Sequence, residues 1–300
     1  FFTLIIIFMI KKSLSKHFFY LPILFLCLFD YTRVNHEIIF PKKHIPHKKI
    51  IQPNDYLNNY LNKNDLISYL QKDKSKYRIY DILGPQNRWP AFSIENIQGY
   101  HPAKMNTYNI FLDNIRQKGY NFWPEGILKL LNVKYLVMPF NDFPNDNFEI
   151  VKEGPMYYFG NQYDEYDGKQ IPYYIYEYKN HYPRLFYVKK IEFINTNIIF
   201  DKIIDENFDP KEVSYLDIDK TNDFDYEYSP LSEVEIISWT PDIIKFKTNT
   251  TVKSFLLFSE NYYPNGWKLT SDNDKYKIYN VNGIARGALI PPGEKTFTMY

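Results

Sequence analysis

Residues 259–293, SENYYPNGWKLTSDNDKYKIYNVNGIARGALIPPG, decide how the second half of this chain is read. The apolar run Phe255–Phe258 leads into Glu260, a Tyr-Tyr-Pro-Asn-Gly turn and Trp267, and the chain then returns through alternating residues to a Pro-Pro-Gly turn. Short alternating runs separated by Gly, Pro and Asn are antiparallel β punctuation. Working outward, VEIISW (234–239), IIKFKT (243–248), KYKIYNV (275–281) and KTFTMY (295–300) repeat the pattern at regular spacing. That spacing predicts a β-sandwich over residues 231–300.

Upstream the pattern changes. DYLNNYLNKNDLISYLQKD (55–73) carries Leu57, Tyr60, Leu61, Leu66, Ile67 and Leu70 at mostly helical spacing. Strand-like YRIYDIL (77–83) follows, then a helix expected from Pro102 to about Lys118, then ILKLLNVKYLVM (127–138), which reads as a helix end feeding a buried strand. A β-α-α-β unit of this kind predicts an α/β domain over 36–200, to which YYIYEY (173–178) and LFYVKKIEF (185–193) add strands. The strongly acidic stretch 201–230 reads as a linker carrying a helix or strand. At the start, FFTLIIIFMI (1–10), a KKSLSK connection and HFFYLPILFLCLF (17–29) read as the end of one membrane span, a tight loop and a second span over Leu14–Thr32, with Lys16 and Arg33 snorkelling. No small-residue cleavage site follows Phe29, which argues against a secretory signal. Lysines in the tight loop favour placing it in the cytoplasm and the remaining mass outside, although KKHIPHKK (42–49) pulls the other way. The expected fold class is therefore α/β plus all-β: an N-terminal transmembrane helical hairpin (1–35), an extracytoplasmic α/β domain (36–200), an acidic linker (201–230) and a C-terminal β-sandwich (231–300). The Phe-Phe opening and the strand-like close at Tyr300 read as the interior of a longer polypeptide.

Composition narrows the partners. The formal charge is +1, and the first 35 residues carry four basic side chains against Asp30, so the rest is slightly acidic and offers no nucleic-acid footprint. Cys27 is the single cysteine and forms no intrachain disulfide. Lysines flank His44-x-x-His47 and would repel a cation, while Asp272-Asn273-Asp274 and 142–147 lack the Gly and distal Glu of a calcium loop, so no metal is expected. GYHPAK (99–104) is the best site candidate. Pro102 suits a first helical turn, and Tyr100, His101 and Lys104 present donors suited to an anion or a sugar hydroxyl; the plain alternative is a helix start whose His101 bonds backbone. Arg88 and Glu95, with Arg78, lie near enough in sequence to complete a polar pocket. Glu260 with Tyr262, Tyr263 and Trp267 makes either an aromatic sugar shelf with a carboxylate acceptor or a Trp packed into the sandwich. Arg286 pairs with Glu260 or reaches a ligand. Asp30, at the end of the apolar run, is an ionisable group near membrane depth.

Taken in order after an apolar opening, GYHPAK (99–104), LLNVKYLV (130–137), PRLFYV (183–188), NFDPKEV (207–213) and the 259–293 stretch resemble the C-terminal part of the bacterial YfhO family of membrane proteins. The resemblance covers most of residues 17–300 and rests on the ordered set. It implies a polytopic GT-C-type glycosyltransferase that moves a sugar from a polyprenyl-phosphate donor to an envelope acceptor such as lipoteichoic acid or a surface polysaccharide. In that class a carboxylate on an early extracytoplasmic loop serves catalysis and the soluble C-terminal region covers the site and helps bind acceptor. No residue here matches that early loop, so the resemblance assigns no catalytic residue and no cofactor within these 300 residues. Membrane lipid, the polyprenyl-phosphate sugar and the envelope polymer are the implied partners. The alternative is a non-enzymatic, membrane-tethered envelope binding or structural module.

Overall fold

In the computed structural model the strand Ser254–Asn261 is buried along almost its whole length, although its neighbours Ile244–Thr250 alternate between core and solvent. A continuous apolar run buries both faces, whereas alternation buries one. The strand must therefore lie in a middle layer, and the rest of the architecture follows from that.

The structure describes residues 16–39, 54–82, 87–99, 105–119, 122–143, 145–158, 169–217, 224–263 and 266–300. Helices are α1 (Lys16–Ile39), α2 (Asn54–Tyr60), α3 (Asp65–Lys72), α4 (Asn106–Gln117), α5 (Glu125–Leu130) and α6 (Ile199–Ile203). The first strands are β1 (Arg78–Asp81), β2 (Val133–Met138), β3 (Phe148–Tyr157), β4 (Gln170–Tyr178), β5 (Leu185–Tyr187), β6 (Lys190–Ile194) and β7 (Val213–Asp217). The later ones are β8 (Glu233–Trp239), β9 (Ile244–Thr250), β10 (Ser254–Asn261), β11 (Leu269–Ser271), β12 (Asp274–Tyr276), β13 (Tyr279–Val281), β14 (Ala285–Ile290) and β15 (Gly293–Met299). The chain divides into one unit of residues 1–62 and 159–169, which holds α1 and α2, and a β-rich body of residues 63–158 and 170–300.

Within the body, one sheet runs β1-β2-β4-β3, with β1 parallel to β2 and the remaining pairs antiparallel. Period-2 alternation along β4 sends Tyr173 and Ile175 to a core with Leu66, Ile67 and Leu70 of α3, and Tyr176 and Tyr178 to the opposite core with Phe111 of α4 and Ile127 of α5. A second sheet, β13-β14-β10-β5, is the middle layer. Phe255 and Leu257 join the core that holds α4 and α5, while Leu256 and Phe258 face Phe246, Phe297 and Met299 of the outer sheet β12-β11-β15-β9-β8. Strands β6 and β7 form a separate parallel pair. The turns are those the residues favour: Asp272-Asn273 and Asn282-Gly283 both have two consecutive positive φ values, the geometry of two-residue hairpins. At Gly287 a Cβ would lie 2.4 Å from Phe255, so only glycine lets β14 approach that ring.

Two expectations are corrected. The fold is mostly β, with many strands in several sheets and few helices, rather than α/β plus a separate all-β part. Tyr- and Ile-rich runs such as QIPYYIYEY keep a period of two and pair along their length, and the intervening helices are short. The transmembrane hairpin also falls: among the described residues no helix is long and apolar enough to cross a membrane. Helix α1 has 24 residues, but Pro22, Asp30, Arg33 and Glu37 interrupt its apolar character. The run 1–10, read as the first span, lies outside the described residues. Strand β5, read with the upstream strands, pairs with β10 of the middle sheet.

Candidate functional site

The polar centre of the body forms where the β1 edge meets the middle sheet. Arg78 opens β1, Arg184 precedes β5, and Glu260 sits near the end of β10. Glu95 lies on an irregular segment whose backbone is tied to β1, with Ile79 N–H donating to Glu95 O at 2.8 Å and Ile97 N–H to Ile79 O at 3.0 Å. Arg184 is held in place by its own carbonyl, which accepts from Ser259 N–H at 2.9 Å.

These four side chains form a closed ionic ring. Arg184 Nε lies 2.7 Å from Glu260 Oε1, and its Nη2 is hydrogen-bonded to Glu95 Oε2. Arg78 Nη2 donates to Glu260 Oε1 at 2.9 Å, and its Nε lies 3.3 Å from Glu95. Arg78 Nη1 also donates to the Ser259 and Leu131 carbonyls at 2.6 and 3.2 Å. Asn132, held at φ 57° by the turn after α5, accepts from Arg184 Nη1 at 3.1 Å and donates to Tyr182 O at 2.7 Å. The Arg184 side chain is 2% exposed and Glu260 18%, whereas Glu95 is 45% exposed. Burial alone would raise the Glu95 carboxyl, but the Arg184 and Arg78 charges and the Arg184 hydrogen bond hold it below the ordinary value. Burial pulls Arg184 down, helped by the Arg78 charge and opposed by Glu260 and Glu95.

Two open clefts touch this ring, one through Glu95 and the other through Arg184. The larger, about 810 Å³, runs between α3 and the segment 92–95 and is rimmed by Lys63, Lys72, Lys74 and Lys76. The smaller, about 470 Å³, is bounded by Arg184, Asn132, His181 and Trp239. Lys74, Ser75, Lys76 and Tyr77 line both. The carboxylates of the larger cleft are engaged elsewhere: Glu95 with the two arginines, and Asp73 with Lys134 Nζ at 2.7 Å, Tyr135 Oη at 3.0 Å and Ser75 N at 2.8 Å. No carboxylate of the described residues lies within 4 Å of Lys63, Lys72, Lys74 or Lys76. The ridge between the clefts is thus locally cationic. Trp239 faces it with Arg184 5.1 Å from its ring centre.

Of the residues expected from sequence, Glu95 and Glu260 are brought together, through Arg78 and Arg184. Tyr100, His101 and Lys104 lie outside the described residues, as do His44 and His47. Arg88 is buried, with its guanidinium 5.5 Å from the Phe92 ring centre and 6.0 Å from that of Trp89. Trp267 is half-buried against the sandwich core and lies under Arg286, whose guanidinium is 4.0 Å from the ring centre. Arg286 donates from Nε to Asn261 O at 2.8 Å, and burial pushes it down to about 10, with Glu260 opposing and Arg78 adding to the shift. Tyr263 is exposed. Sequence reasoning missed Arg184 and the lysine ridge. The available signals were a cation heading an apolar strand in PRLFYV and the like charges of KDKSK (72–76).

A third cleft, about 540 Å³, holds Glu125 and Asp209. Glu125 accepts from Asn145, Asn147 and Tyr178, and Asp209 from Lys129, Tyr182 and the Lys211 amide, so both carboxylates are spent on holding loops. Among the described residues no group of three or more His, Cys, Asp or Glu is placed to hold a metal ion. Compared with known proteins, the chain matches no family model, no curated protein and no solved structure.

Proposed function

We propose that the β-rich body is an extracytoplasmic module that holds an anionic cell-envelope polymer, and that it serves as the acceptor-binding part of a membrane glycosyltransferase of the YfhO kind. The observation that carries the reading is the pair of clefts sharing the Lys74–Ser75–Lys76 ridge, whose lysines have no carboxylate of the described residues within 4 Å. Open, cation-rimmed grooves attract a polyanion and align it by its backbone charges. An aromatic side chain at the groove wall, Trp239, offers a flat apolar face to a sugar ring. The polyprenyl-phosphate donor and the transfer chemistry are assigned to none of the described residues: Glu95, Glu260, Asp73, Glu125 and Asp209 are held by arginine, lysine, tyrosine and asparagine partners, and the buried Asp81 accepts from Trp89 Nε1 at 2.7 Å.

The order of the YfhO-like segments supports the assignment to a glycosyltransferase over a free-standing binding module. The test is equilibrium binding of the chain to a purified polyol-phosphate polymer and to an uncharged glycan of similar length. Preference for the charged polymer that weakens as salt rises supports the reading. Equal or tighter binding of the uncharged glycan refutes it.

A further inference from the structure

We infer that Arg78 and Arg184 form an anion seat that Glu95 occupies as an internal stand-in, and that a phosphate or carboxylate group of a ligand takes the seat by displacing the Glu95 side chain. The inference deepens the anionic-polymer reading by naming where one charged group of the ligand would rest.

Three features of the ring separate Glu95 from Glu260. Both contact the two arginines, but Glu260 is on strand β10 of the middle sheet and only 18% exposed, so it is their permanent counter-ion. Glu95 is 45% exposed and its side chain faces the larger cleft. Its backbone is bonded to β1, so the side chain can swing into water while the segment stays in place. With Glu95 turned away, two guanidinium groups would face one carboxylate, leaving an excess positive charge behind the place Glu95 now fills. Arginine forks bind planar carboxylates and phosphates through paired charge-assisted hydrogen bonds. Arg184 presents Nη2 toward the position that Glu95 Oε2 now fills, and Arg78 presents Nε to the same atom.

The ridge connects to the seat. Lys76 lines both clefts and its charge acts on Glu95, so an anion crossing the ridge reaches Glu95 without entering the core. The arrangement makes binding a competition between an attached carboxylate and a free anion. Attachment gives the internal group a high effective concentration, which lowers the apparent affinity for the free one.

The experiment titrates the whole chain and its Glu95→Gln variant with inorganic phosphate and, separately, with acetate, following the thermal midpoint and the Arg184 Nε and Glu95 carboxyl NMR signals. Glu95→Gln keeps the side-chain shape and removes the competing charge, so phosphate binds it at least about fivefold more tightly than the wild type. Acetate reports whether a carboxylate suffices or a phosphate is required. Affinities that are equal in the two proteins, or weaker in the variant, overturn the inference. Should the variant fail to fold, the wild type decides: at saturating phosphate the Glu95 carboxyl and Arg184 Nε signals must both move, and if they stay fixed the seat does not exist. The lysine variants Lys74→Ala and Lys76→Ala separate the two readings. Wild-type polymer affinity and preference in the lysine variants together with an intact Glu95→Gln gain sinks the polymer reading and keeps the seat; loss of the polymer preference with no Glu95→Gln gain sinks the seat alone.

Discussion

Replacing Arg184 with methionine should be among the most damaging single changes in the protein. The side chain is 2% exposed, hydrogen-bonded to Glu95 and Asn132 and ion-paired with Glu260, so Met fills the volume but leaves two carboxylates with one cation. Breaking a buried pair from one side costs about 3–5 kcal/mol, because the abandoned charge stays desolvated. Two facts place the effect at the low end: Arg78 remains to serve Glu260, and Glu95, being nearly half exposed, can turn to water. About 3 kcal/mol is therefore expected, and for a body of this size each 1 kcal/mol moves the melting midpoint by roughly 2–4 °C, giving a fall of about 6–12 °C. Calorimetry or circular dichroism on the whole chain at pH 7 measures it. Adding Glu95→Gln to Arg184→Met restores a balanced Arg78–Glu260 pair, so the double variant should recover at least about 1 kcal/mol. A midpoint within about 2 °C of wild type, or a double variant that is simply the sum of the two losses, refutes the idea that the ring joins the sheets electrostatically.

Other perturbations have defined outcomes. Burial raises the Asp73 carboxyl, but the Lys134 bond with those from Ser75 and Tyr135 outweighs it and holds it at about 2. Its folded value lies below its unfolded one, so its contribution is complete above about pH 4 and disappears as the pH falls towards 2; Asp73→Asn should flatten the stability profile across that window, and an unchanged profile counts against the assignment. Gly126→Ala places a methyl 2.0 Å from the Phe208 carbonyl, backbone that cannot yield, and should cost about 3 kcal/mol or prevent folding; a wild-type melt would show that the loop around Phe208 moves freely. Trp267→Ala should cost about 2–3 kcal/mol, less than a fully buried Trp, because the ring is half-buried and covers Arg286. An unaltered melting curve with weakened binding to an uncharged glycan would make Trp267 a sugar shelf instead.

What the sequence disclosed follows from what is local. The Asp272-Asn273 and Asn282-Gly283 turns, the alternation of β9 and the burial of Phe255–Phe258 are local properties, and they give the C-terminal strands directly. Pairing across long separations is not local. Nothing in LFYVKKIEF announces that Leu185–Tyr187 would pair with Leu256–Phe258, nor that β1 and β2 would be the parallel pair in an otherwise antiparallel sheet. The second span expected over Leu14–Thr32, with Lys16 and Arg33 reaching outward, falls on a helix that runs on through Asp30, Arg33 and Glu37 and is not apolar enough to cross a membrane. At the site, closeness in sequence groups Glu95 with Arg78 and Arg88, and Glu260 with the aromatic residues Tyr262, Tyr263 and Trp267. Arg78 does lie against Glu95, but Arg184 and Glu260 join them only through the three-dimensional meeting of β1, β5 and β10, which spacing along the chain does not encode.

The most direct test of the account is the affinity of a purified polyol-phosphate polymer for the chain carrying Lys74→Ala and Lys76→Ala together, measured at one fixed, moderate salt concentration beside the wild type. Both side chains are exposed, so folding should be unaffected, and each lost exposed contact removes roughly 0.5–1 kcal/mol. The account predicts binding weaker by about 5–30-fold with an unchanged melting midpoint. Wild-type affinity in a folded double variant would contradict it.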